Sequence, residues 1–298
     1  MRGIGMFTVL LGLSGALTYG FADFLGGLSA RRTRPLAVTS LTATIGIGPL
    51  LLGLVLLGGR FTPGALIWGA VAGASGSVGV LLLYTALSIG PMSVLSPVTS
   101  VFSAILPVVA AVAFGTRLSP VAIAAIVVAI LAVVLVSVSR NTSGAHVTLR
   151  GLLMAAVAGC GFGGLVLAYD MTSPAEGVAP LVVARAAQAL LMVAALLITK
   201  RRRAPTSAPG SQTPTLGRSF WLMVIACGVL DAAANVFIQA ALHVSPTPTT
   251  LPTVSVLNAL YPVGTILLAS IVLRERLTMI QLGGICLGIA ASVTLSLS

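Results

Sequence analysis

Apolar runs of about 20 residues, separated by short polar breaks, recur from one end of the sequence to the other. Each is long enough to cross a hydrocarbon core about 30 Å thick. Ten runs are read, at 7–29, 36–58, 64–88, 92–114, 119–139, 150–170, 178–199, 220–243, 249–272 and 278–297. The pattern predicts an all-α membrane protein of ten transmembrane helices. Most connections are short. The exception runs from Lys200 to Arg218 and contains Ala204-Pro205-Thr206-Ser207-Ala208-Pro209-Gly210, which reads as a flexible polar loop. Arg2 ahead of the first apolar run suggests a signal peptide. That reading is rejected, because the first run has a counterpart later in the chain.

The counterpart belongs to an internal repeat. Setting 84–108 against 239–263 gives nine identities in 25 positions. They include Pro97 with Pro252, Pro107 with Pro262, and Pro91 with Pro246. A slightly different offset lays Arg117-Leu118 on Arg276-Leu277, and Gly20-Phe21 falls on Gly161-Phe162. The chain therefore divides into two five-span repeats, 1–140 and 149–298. Five is odd, so the second repeat is expected upside down relative to the first.

Composition agrees with a membrane interior: 57% of residues are hydrophobic, 7% are charged and the mean hydropathy is +1.12. A water-facing globule needs roughly a quarter charged. The net charge of +11 reads as loop charge flanking membrane spans, not as a nucleic-acid surface. Twelve Lys and Arg fall in the connections after spans 1, 3, 5, 7 and 9, against Arg2, Arg60 and Arg117 at the other face. The positive-inside rule puts the richer face in the cytoplasm and both termini outside. Five acids and two histidines, His146 and His243, lie far apart in sequence, so no metal, cofactor or enzymatic site assembles from neighbours. Cys160, Cys227 and Cys286 read as small buried hydrophobes.

Ionisable groups within a membrane span cost about 2.5–3.5 kcal/mol at a helix centre, which marks them as functional candidates. Asp231 sits near the middle of span 8, and Asn235 and Gln239 follow on the same stripe. This stripe either lines a transport lumen or bonds helices together. An acid at that depth is also a candidate for carrying protons. Asp23 is the second candidate, unless it pairs with Arg31 or Arg32 at the interface. Tyr19 precedes it by one turn. Asn258 and Tyr261 stand just before Pro262 in span 9, and prolines at matching places in two inverted halves point to a binding site. Pro97, Pro107, Pro252 and Pro262 are thus expected to break their helices. Arg185 needs a carboxylate, a carbonyl or an anionic ligand. Tyr84 reads as an interfacial anchor, and Gly69-xxx-Gly73 and Gly159-xxx-Gly163 as close-packing contacts.

Tyr84-Thr85-Ala86-Leu87 leading to Pro97 and Pro107, Gln239-Ala240-Ala241-Leu242 leading to Pro262, and Leu273-Arg274-Glu275-Arg276-Leu277 resemble the EamA-type branch of the drug/metabolite transporter superfamily. The likeness covers nearly the whole chain. It places Arg185 where the family has an arginine near the start of a repeat's second helix. Gly115-Thr116-Arg117 lacks the acid of the matching turn in the first repeat, and Ser40 stands where a second arginine would. The resemblance implies a secondary transporter in a bacterial inner membrane, moving an amino acid or drug-like solute by alternating access. It also implies both termini in the cytoplasm, opposite to the charge count. A lipid bilayer, a small solute and protons are the expected partners. A membrane scaffold or sensor, or an intramembrane enzyme, is the alternative.

Overall fold

The computed structural model describes residues 2–90, 92–137, 148–202, 217–272 and 278–297. The turn at Leu273–Leu277, Pro91, His146 and the stretch 203–216 of the long connection lie outside them. The described residues form eleven α-helices: α1 Arg2–Ala30, α2 Pro35–Leu57, α3 Pro63–Ile89, α4 Met92–Ala113, α5 Pro120–Ser137, α6 Leu149–Asp170, α7 Ala179–Arg202, α8 Arg218–His243, α9 Thr250–Asn258, α10 Tyr261–Val272 and α11 Met279–Leu297. A 3-10 turn, Pro174–Glu176, separates α6 from α7. Proline opens α2, α3 and α5, and glycines with positive φ follow α2 (Gly58, 80°) and α4 (Gly115, 95°). Both placements follow from proline's missing N–H and glycine's missing Cβ. Seven of the described helices are long and apolar enough to cross a membrane, and Pro120–Ala132 is a shorter apolar one. Their outward leucines and valines, such as Leu52, Val55 and Leu56 on α2, stay exposed as a lipid-facing surface requires.

Span 9 is two helices, not one. Pro262 has no N–H to continue the ladder, and the chain turns through Ala259 and Leu260 between α9 and α10. The expected breaks at the other three prolines do not occur. α4 runs unbroken through Pro97 and Pro107. Along it the hydroxyls of Thr99, Ser100 and Ser103 donate to the carbonyls of Leu95, Pro97 and Ser100 at 3.0, 2.9 and 2.8 Å, adding side-chain bonds to the same helix. Pro252 lies in the first turn of α9, where no intrahelical donor is needed.

The helices of the two halves pair reciprocally. α3 packs along α6 as α8 packs along α1, α3 meets α7 as α8 meets α2, and α4 lies on α6 as α9 and α10 lie on α1. α2 meets α7, and α5 meets α11. Connections after α2, α4, α6 and α8 gather at one end, where α1 begins. Arg60 N–H donates to Glu176 O at 3.1 Å, Thr116 Oγ1 to Pro248 O at 3.4 Å, and Thr172 lies 3.4 Å from His243. This is the N-terminal end. At the opposite, basic end Arg31 Nε donates to Leu87 O at 3.3 Å.

Close approach relies on glycine. A Cβ on Gly69 would lie 2.7 Å from Pro180 O and one on Gly163 3.0 Å from Ser103 O, while one on Gly73 would collide with Ala184 O and one on Gly159 with Thr99 O. Cys227 is buried, but Cys160 and Cys286 are exposed on their helices, contrary to the expectation of three buried thiols. On a membrane helix an apolar-sized thiol is as stable against lipid as against protein, so composition did not discriminate.

Candidate functional site

α7 and α8 bring Arg185 and Asp231 together midway through the bundle. The Arg185 guanidinium donates through Nη2 to Asp231 Oδ2 and through Nη1 to Gln188 Oε1, the latter at 2.7 Å. It is the one salt bridge among the described residues, and the side chains are 7% and 12% exposed. A buried charge needs such a partner, because neither lipid nor packed carbon can solvate it. On the same α8 face Asn235 Nδ2 donates to Asp231 O at 2.7 Å, and Tyr169 of α6 donates its hydroxyl to Asn235 Oδ1 at 3.0 Å.

These groups line a narrow cavity completed by Tyr19 of α1, Phe162 and Leu165 of α6, and the small residues Ala72, Gly73 and Gly76 of α3. It has space for about one water. Five helices from both halves meet there. The cavity is narrow, so any larger solute requires the helices to part. Among the described residues no three His, Cys, Asp or Glu side chains gather as a metal site would need.

Of the residues singled out from sequence, Tyr19, Asp231 and Asn235 converge on this cavity. Gln239, one turn further along α8, donates to Thr172 Oγ1 at 3.4 Å. Tyr261 points elsewhere, donating its hydroxyl to Ser96 O on α4 at 2.9 Å. Asn258 is 4% exposed at the last position of α9, and its Oδ1 has no hydrogen-bond partner among the described residues. Asp23 is 6% exposed and, among the described residues, has neither an ion pair nor a hydrogen bond. Its expected pairing with Arg31 or Arg32 does not form. Asp23 is buried two turns before the helix end, and Arg31 turns to the Leu87 carbonyl instead. Tyr84 is no interfacial anchor: it is 2% exposed, with its hydroxyl 3.1 Å from Cys227 Sγ.

Sequence reading missed Tyr169 and Gln188 and left the partner of Arg185 open. Gln188 was findable, being three residues after Arg185 and therefore on its helix face. Tyr169 carries no such local signal, since its role depends on α6 meeting α8.

A model of the EamA-like transporter family matches residues 6–138 and 149–297, once in each half. The chain belongs to the EamA-like transporter family, and with it to the drug/metabolite transporter superfamily. It is an integral, multi-pass membrane protein of transporter type. A crystal structure of a protein, 18% identical with a TM-score of 0.71, aligns over 97% of this chain and 96% of its own, which is a likeness of fold. No curated protein matches in sequence.

Proposed function

We propose that this EamA-like chain is a secondary transporter that moves a small polar or amphipathic metabolite by alternating access at the Arg185–Asp231 cavity. One observation carries the reading: a matched ion pair, two amides and two tyrosines line a cavity at the meeting point of helices from both halves. A purely structural bundle of this composition gains nothing from burying two charges, since apolar residues of equal size pack as well or better. The reciprocal helix pairing and the opposed ends of the connections support two inverted repeats, read as ten spans with the ninth broken at Pro262. Rocking one repeat against the other would open the cavity to each end in turn.

The solute gradient or protons would supply the energy. Asp231 has its charge matched by Arg185, whereas Asp23 has no such match, so proton coupling falls more naturally to Asp23. The plasma membrane, the inner one in a bacterium, is the proposed location. The twelve basic residues favour the basic end in the cytoplasm, against the family expectation. Impermeant thiol reagents applied to intact cells should leave Ser207→Cys unlabelled; labelling would reverse the orientation.

Purified protein in proteoliposomes, screened for uptake of radiolabelled metabolites, tests the function itself. Saturable uptake abolished by Arg185→Met is the expected result. Uptake unaffected by Arg185→Met would remove the site. A chain that moves no solute from a broad panel would favour the scaffold reading.

A further inference from the structure

α8 carries a polar group on every fourth residue from the cavity to its last turn: Asp231, Asn235, Gln239 and His243. The spacing puts them on one face, and the twelve residues between the first and last span about 18 Å. α6 and the connection after it answer them, with the Tyr169 hydroxyl on Asn235 at 3.0 Å and the Thr172 hydroxyl 3.4 Å from both Gln239 Nε2 and His243 Nε2. Thr172 also donates to Tyr169 O at 2.6 Å. The two helices meet less extensively than α3 with α6 or α1 with α8, and what they share here is polar. His243 is half-buried at the N-terminal end of this seam. It faces the Tyr169 and Thr172 carbonyls, and Glu176 of the α6–α7 connection lies within electrostatic reach. Glu176 is itself held by Thr62 Oγ1 and by Ser173 N–H, the latter at 3.0 Å. Among the described residues, His243, which carries charge only when protonated, and the Arg185 guanidinium are the basic groups at the two ends of this seam.

We propose that the α6–α8 seam is the path from the N-terminal end to the Arg185–Asp231 centre, and that His243 selects at its mouth for solutes bearing an anionic group. The proposal rests on the transporter reading. Lipid cannot satisfy a polar stripe of this length, and tight helix packing does not require one. A protonated imidazole would draw anions towards Arg185 and a neutral one would not, and histidine changes charge between about pH 5 and 8.

The test uses two impermeant methanethiosulfonate reagents of similar size, one an anionic sulfonate and one a quaternary ammonium. They are applied from the N-terminal side to reconstituted Gln239→Cys protein. The parent chain gives the baseline, as does Val229→Cys, which sits on an exposed face of α8. The thiol of Gln239→Cys should react and that of Val229→Cys should not. The ratio of anionic to cationic reaction rates should rise severalfold from about pH 8 to about pH 5.5. The thiolate's own titration cancels in that ratio. Adding His243→Gln should flatten it, and adding His243→Arg should hold it high throughout. An unreactive thiol in Gln239→Cys would overturn the path. A ratio indifferent to pH, or unchanged by His243→Gln, would overturn the role of His243. No transported solute is used, so these outcomes stand apart from those of the uptake assay: a chain that labels as described yet moves nothing would sink the transporter reading alone.

Discussion

Arg185 and Asp231, 46 residues apart in sequence, are ion-paired inside the membrane-spanning bundle, both side chains nearly buried. Removing one partner leaves the other buried and unmatched, at a cost of about 3–5 kcal/mol. Replacing both by apolar side chains of similar size removes that cost. Asp231→Leu and Arg185→Met should each lower the thermal unfolding temperature in detergent substantially, and the double variant should recover most of the loss. Equal losses that simply add would show that the two side chains act independently. Transport should be absent from all three variants whatever their stability, because the polar centre is gone.

Helix spacing gives a second measurement. A methyl group at Gly73 would run into the Ala184 carbonyl, which is backbone and cannot rotate away, whereas nothing lies within 4 Å of one at Gly283 of α11. Gly73→Ala should therefore destabilise by about 1–3 kcal/mol through overpacking. Gly283→Ala should be neutral or slightly stabilising, since alanine favours the helix by up to about 1 kcal/mol. Thermal melts of both variants against the parent check the contrast. A loss at Gly283 as large as at Gly73 would show that the α3–α7 contact is not the cause.

The helices and the repeat were legible because membrane crossing writes itself into the sequence as run length, and paired prolines mark equivalent positions. Asp231, Asn235 and Tyr19 were legible because a polar residue in an apolar span stands out. The partner of Arg185 was not: the choice between a carboxylate, a carbonyl and a ligand depends on how α7 meets α8, which no local pattern records. The prolines misled for a related reason. Pro107 and Pro262 look alike in sequence, yet α4 continues through Pro107, while the chain turns ahead of Pro262; a membrane helix tolerates proline where its surroundings accommodate it, which no local pattern records.

At the N-terminal end, Glu176 ties two connections together. Its Oε1 accepts from Thr62 Oγ1, its carbonyl accepts from Arg60 N–H at 3.1 Å, and Val178 N–H donates to Gly58 O at 3.1 Å. A charged acceptor makes stronger hydrogen bonds than a neutral one. Glu176→Gln should therefore loosen this closure, and the amide protons of Arg60 and Val178 should exchange faster, with exchange at mid-helix positions of α3 unchanged. Unaltered exchange at both amides would mean that the backbone contacts alone hold the end shut.

Asp23 carries the sharpest consequence for energy coupling. It is 6% exposed, one turn beyond Tyr19 of the cavity lining, and among the described residues it has no ion pair or hydrogen bond. Holding an unmatched carboxylate there is costly, and protonation relieves the cost. Such a group can take up a proton when its surroundings are closed and release it when water or a cation arrives, which Asp231 beside Arg185 is less free to do. Asp23→Asn keeps the shape and removes the charge. The variant should fold at least as well as the parent, with an unfolding temperature equal or higher. It should lose accumulation driven by an imposed pH gradient while still exchanging labelled for unlabelled solute across proteoliposomes. If pH-driven accumulation survives in Asp23→Asn and disappears in Asp231→Asn, the coupling proton belongs to the ion pair, and Arg185 must release Asp231 during each cycle.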